Sequence, residues 1–162
     1  MKLKKNQTGF SLIELLIVIA IIGIIAAIAI PNLLASRRAA NEGSAQQTLR
    51  TLHSSEATYQ ATSGQGNFGP LTEMRTVNLI DSVLAAGTKS GYNFNIVPVA
   101  LVVNISPSTF HATAVPTVTT GVSQTGTRRF AVTDDGIMHG DTTAPLAAPT
   151  RAQADLMTAL GN

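Results

Sequence analysis

The longest apolar run is Leu12 to Ile30, nineteen residues interrupted by one charge, Glu14. As a helix it would span about 28 Å, close to the hydrocarbon thickness of a bilayer. A carboxylate near the middle of such a segment costs roughly 2.5–3.5 kcal/mol on an insertion scale, so Glu14 needs a reason. Beyond Pro31 the pattern changes. Ala45, Leu49, Leu52 and Tyr59 recur at helical spacing, which predicts an amphipathic helix from Asn32 to about Thr62 with one face for a sheet. Run and continuation together would form a helix about 80 Å long. One small domain cannot cover that length, so its first half must be buried by lipid or by copies of itself.

"SGQGNFGP", Ser63 to Pro70, breaks the helix. Leu79 to Ala86 reads as a short helix ended by Gly87. Strands are expected at Tyr92–Val103, Thr109–Val115, Arg128–Thr133 and Ile137–His139, the last two joined by a turn at Asp134-Asp135-Gly136. Consecutive strands without intervening helices predict an antiparallel sheet and an α+β class. The expected organisation is 1–9 leader, 10–31 apolar helix, 32–62 amphipathic continuation, 63–141 head and 142–162 loose tail, with one helical turn near Ala154–Leu160.

Composition sharpens this picture. With 162 residues the chain suits one modest core. It has no cysteine, which excludes a disulfide framework, a thiolate metal site and a cysteine nucleophile. The formal charge of +2 is set by the N-terminus: Lys2, Lys4 and Lys5 precede the apolar run, leaving eight basic side chains against nine acidic. The near-neutral body gives little support for nucleic-acid binding. Lysines before the run predict a cytoplasmic N-terminus with the body across the membrane.

Three readings of this N-terminus compete. A secretory signal would use Ala27-Ile28-Ala29 as its cut, but the apolar run exceeds the usual 7–15 residues and contains Glu14. A plain transmembrane anchor explains length and orientation and leaves Glu14 unexplained. The third reading comes from resemblance. "KKNQTGFSLIELLIVIAIIGIIAAIAIPNLLASR" resembles the N-terminus of the type IV pilin and pseudopilin family: a basic leader, Gly-Phe, Glu five residues on, then an aliphatic helix with Gly and Pro at set places.

That resemblance implies a pilin fold, a long kinked N-terminal helix on a roughly four-stranded antiparallel sheet. It implies cleavage after Gly9 by a prepilin peptidase, then N-methylation of Phe10 by a methyltransferase. It implies that Glu14 pairs with the N-terminal amine of a neighbouring subunit; a buried carboxylate is tolerable when paired. Gly23 and Pro31 would bound a weak helical segment, since Gly costs about 1 and Pro about 3 kcal/mol relative to Ala. The implied function is a structural filament subunit, not an enzyme. It would be drawn from an inner-membrane pool by an assembly platform, polymerise with itself or in a mixed filament, and end in a cell-surface or periplasmic fibre. A type IV pilin is the favoured form. A type II secretion pseudopilin, or a membrane-tethered binding domain that does not polymerise, is the alternative.

The body offers little catalytic chemistry: no phosphate loop, no G-x-S-x-G and no H-E-x-x-H. No cofactor is expected. His53, His111 and His139 are scattered, and a metal site from them is a weak expectation. Asp134, Asp135 and Asp141 lie within eight residues and are weak candidates for calcium, although Asp-Asp-Gly is already explained as a turn. Arg37, Arg38 and Glu42 are expected on a solvated face past the membrane, or in salt bridges between subunits. Arg128 and Arg129 are expected at a solvated edge or subunit contact.

Overall fold

The computed structural model describes residues 9–142 and 147–160. Its elements are α1 (Leu12–Ala61), α2 (Leu71–Thr76), α3 (Ser82–Ala85), β1 (Thr88–Lys89), β2 (Tyr92–Val99), β3 (Thr109–Pro116), β4 (Arg129–Thr133), β5 (Met138–Asp141), α4 (Arg151–Leu156) and β6 (Thr158–Ala159). The chain divides into two units, one ending at Ser36 and one beginning at Arg37. The leader 1–8, with its lysines, lies outside the described residues.

The first unit is the start of α1. Its aliphatic side chains from Leu12 to Leu33 are exposed on every side. A helix that is apolar all round is at home only in lipid or inside an assembly. It is long and apolar enough to cross a membrane. The helix runs through Pro31 without interruption, although proline gives no N–H to the carbonyl one turn back.

In the second unit α1 acquires a single buried face. Ala45, Leu49 and Leu52 have no exposed surface, and Tyr59 is nearly buried. They meet Phe94, Ile96, Phe110, Ala112, Ala114, Phe130, Val132 and Met138, the inward residues of alternating strand positions. Met74, Ile80 and Leu84 close the core at one end. The head is thus an antiparallel sheet under one helix.

The sheet has six strands in sequence order, β1-β2-β3-β4-β5-β6, all antiparallel. The four expected strands are its centre; β1 and β6 are additions of two residues each. β2 stops at Val99 rather than Val103, because the chain turns back on itself: Val102 bridges Ser106 and Asn104 takes a φ of 60°. The β4–β5 turn forms at Asp134-Asp135-Gly136, with Gly136 at φ 79° and its N–H given to the Thr133 carbonyl. Helix α2 was not expected, and α3 occupies only the middle of the predicted helix, with the Asp81 side chain capping the Leu84 N–H.

The segment expected as a loose tail is built into the head. Thr150 and Gln153 form a reciprocal capping box at the start of α4. The Leu160 N–H reaches the Met138 carbonyl beside β6. Ala154 and Met157 then pack on Ala131, on the face of the sheet away from α1.

Two charged groups also sit elsewhere than expected. Glu42 is buried, and its carboxylate accepts the Thr127 N–H (2.8 Å), the Thr127 hydroxyl (2.8 Å) and Arg128 Nε (2.9 Å). Arg129 pairs with Asp141 through two bonds of 2.8 and 3.0 Å. Neither arginine is a solvated edge, because each has a carboxylate brought to it within the chain. Asn41 adds a bond to the Thr125 carbonyl and Arg38 one to Gln124. The 117–128 loop is therefore sewn to α1 by polar contacts. Burial opposes ionisation of Glu42, but Thr127 and Arg128 outweigh it and hold the carboxyl below its usual range. Its contribution to stability is present above about pH 4.5 and is lost as pH falls through the depressed value. Replacing Glu42 with Ala should cost about 1–3 kcal/mol near neutral pH in urea unfolding of the detergent-solubilised chain. That deficit should shrink as the parent is acidified.

Candidate functional site

At the start of α1, Ser11 precedes the first helical residue. Glu14 reaches back so that its Oε2 accepts the Ser11 N–H at 2.8 Å. This is the return half of a Ser-x-x-Glu capping box. The signal was present in Ser11-Leu12-Ile13-Glu14 and gives Glu14 a local role that the sequence reading missed. Oε2 is thereby engaged, while Oε1 makes no bond among the described residues. Gly9 and Phe10 lie just ahead in extended, exposed chain, and Phe10 is 89% exposed. Gly23 has open space where a Cβ would stand. No packing within the described chain calls for glycine there.

The family model for the prokaryotic N-terminal methylation motif matches residues 4–30. This N-terminus is similar to those of type IV pilins and pseudopilins. It is 68% identical over 38 residues to the type IV wide pilus major component PilA4 of Thermus thermophilus, covering 24% of this chain and 29% of that one. It is 45% identical over 54 residues to the type IV major pilin protein PilA of Myxococcus xanthus, covering 33% and 24%. It is 30% identical over 89 residues to the type II secretion system core protein G of Aeromonas hydrophila, covering 55% and 60%. The chain thus matches only about a quarter of the two pilins' own length and three-fifths of the secretion protein's. No solved structure matches it. The α+β, pilin-like architecture rests on the helix and sheet described above.

In the head, the sheet separates the three histidines. His53 lies on α1 with its ring 5.8 Å from Phe110. His111 and His139 point to the opposite face, because they alternate with Phe110, Ala112 and Met138 along β3 and β5. There His139 Nδ1 meets the Met157 carbonyl, while His111 Nδ1, Thr113 Oγ1 and His139 Nε2 are buried without a partner among the described residues. Burial and then the Arg151 charge lower the His111 pKa, against the opposing pull of Asp155 and the Pro149 carbonyl. The three aspartates have separate partners: Asp134 with Arg151, Asp141 with Arg129, and Asp135 with the Thr133 hydroxyl and the Ile137 N–H. No group of three or more metal-ligating side chains forms among the described residues.

A buried acid also escaped the sequence reading. Glu56 has no exposed surface; its Oε2 accepts the Gly69 N–H at 3.0 Å and its Oε1 has no partner. Nearby, the Tyr59 hydroxyl donates to Glu73 Oε2 at 2.6 Å. Gly69 fits against the Tyr59 ring so closely that a Cβ would stand 2.7 Å from it. The "GNFGP" loop is therefore pinned to α1 by one buried carboxyl and one tyrosine. Burial raises the Glu56 pKa to about 7, the Gly69 bond opposing and the Glu73 charge reinforcing. A raised carboxyl favours the protonated folded state. Its stability is fully present below about pH 4.5 and is lost as pH rises through 7. Glu56→Gln mimics the protonated form. It should match the parent's melting temperature at pH 4.5 and exceed it at pH 8, by up to about 3 kcal/mol of stability.

Proposed function

We propose that this chain is the precursor of a type IV pilin, a structural subunit that polymerises into a filament through its N-terminal helix. The observation that carries this reading is the exposed aliphatic surface of α1 before Leu34, with Glu14 as its one charge near the start. Such a surface needs either lipid or other copies, and a filament subunit uses both in turn. The precursor sits in the inner membrane with its N-terminus cytoplasmic. A prepilin peptidase cuts after Gly9, the new Phe10 amine is methylated, and an assembly platform adds the subunit to a cell-surface fibre of like subunits.

In this reading Glu14 does two jobs. Before cleavage its Oε2 caps the helix start at the Ser11 N–H. In the fibre its charge meets the methylated amine of a neighbour, so the pair sets the axial register. Gly23 and Pro31 mark the stretch where the helix gives most easily when subunits pack. The role is structural and needs no catalysis and no cofactor. A pseudopilin of a type II secretion system is the second reading. It is favoured by the 89-residue match to core protein G, which extends farther along this chain than either pilin match.

Glu14→Gln separates the two jobs, because glutamine caps a helix as glutamate does but carries no charge. The variant should still be cleaved and should lose filaments by at least about tenfold in sheared-surface preparations. Filaments at the parental level would leave only the cap and would end the charge-pairing account. Intact mass supplies the second check: the mature chain should begin at methylated Phe10. One beginning at Ile30 would return the segment to an ordinary signal peptide.

A further inference from the structure

On the side of α1 beside the β4–β5 turn lies a cavity of 330 Å³ lined by Arg50, His53, Ser54, Val132 and Gly136. That volume is at the lower end of the range for small-molecule sites, about 300–1,000 Å³. Arg50, His53 and Ser54 stand at i, i+3 and i+4 of one helix, so their polar groups rise on one side of it. The Arg50 guanidinium has no hydrogen-bond or ion-pair partner among the described residues, whereas Arg128, Arg129 and Arg151 each have a carboxylate; the Ser54 hydroxyl is given to the Arg50 backbone carbonyl at 3.1 Å. The acids of the adjoining turn are spoken for: Asp134 by Arg151, Asp135 by the Thr133 hydroxyl and the Ile137 N–H.

The rim is held open by the backbone. Gly136 is at φ 79°, and a Cβ there would stand 3.3 Å from both His53 Cε1 and Nε2. A side chain at 136 would crowd the imidazole. The imidazole is braced from behind by Phe110, and the buried Val132 supplies an apolar wall. The lining therefore offers a guanidinium fork and an imidazole N–H, with no carboxylate. A guanidinium fork matches the paired oxygens of phosphate or carboxylate.

We propose that this pocket binds a small soluble anion through a phosphate or carboxylate group. Arg50 makes the paired contact, the His53 N–H donates to a remaining oxygen, and the rest of the molecule lies against Val132. The cavity is roomier than a bare phosphate needs, so the natural ligand carries a small organic group on that anion. The site is separate from the N-terminal assembly segment and does not rest on the filament reading.

The test uses the full chain in detergent, titrated with inorganic phosphate and separately with malonate at constant ionic strength. NMR follows the ring resonances of His53, His111 and His139. At least one anion should shift His53 saturably, with half-saturation at or below about 10 mM, while His111 and His139 stay in place. Arg50→Gln, at an exposed position, should weaken that response at least tenfold without moving the urea midpoint. Arg50→Lys should recover part of it. A His53 shift that follows ionic strength alone, or survives unchanged in Arg50→Gln, overturns the proposal, as does no saturable shift with either anion.

Discussion

One helix has to satisfy two different surroundings. Up to about Leu33, α1 is apolar on every side and finds nothing among the described residues to cover it. From Ala45 to Tyr59 it offers one narrow stripe to a sheet. Burial of that stripe is what the head is built on, since the apolar area removed from water there is the main favourable term in its folding. The two halves have opposite needs. The head half is completed by the chain itself, and the N-terminal half is left to be completed from outside.

The carboxylates follow the same division. Glu42 and Glu56 are both buried on α1, yet their partners differ. One is ionised and wrapped in donors from the 127–128 segment. The other has a single N–H to accept and drifts toward the protonated form. Their effects on stability run in opposite directions with pH. Acid loosens the loop held by Glu42 and tightens the one held by Glu56. Near neutrality Glu42 stays ionised, and of the two contacts only the one at Glu56 changes with pH.

Much of this was legible in the sequence, and the rest was hidden for identifiable reasons. The Ala45-Leu49-Leu52-Tyr59 stripe and the Asp134-Asp135-Gly136 turn are periodic or local signals, so they were readable, as were the four central strands. Glu42 was not readable as buried, because its partners Thr127 and Arg128 are some 85 positions away. Glu56 was hidden for a related reason: its one donor is a glycine backbone N–H, which leaves no mark in side-chain chemistry. The C-terminal segment misled through its prolines and small residues, although Thr150 and Gln153 carried a capping signal. Ser11 and Glu14 carried the same kind of signal, masked by attention to the charge. The histidines could not be sorted until strand register put His111 and His139 on one face and left His53 on the other.

The sheet ends in two very short strands, and this bears on crowding. An exposed strand edge is a template for another chain, and proteins blunt such edges to avoid aggregation. Here β1 pairs with only Tyr92 and Asn93 of β2, so the rest of β2, to Val99, runs along an edge of the sheet. On that edge Pro98 stands on the same side as Phe94, whose N–H goes to the Gly87 carbonyl, and proline has no N–H to add to a ladder. That break steers contact along this edge away from irreversible sheet growth and toward side-chain surfaces, which can be made and unmade.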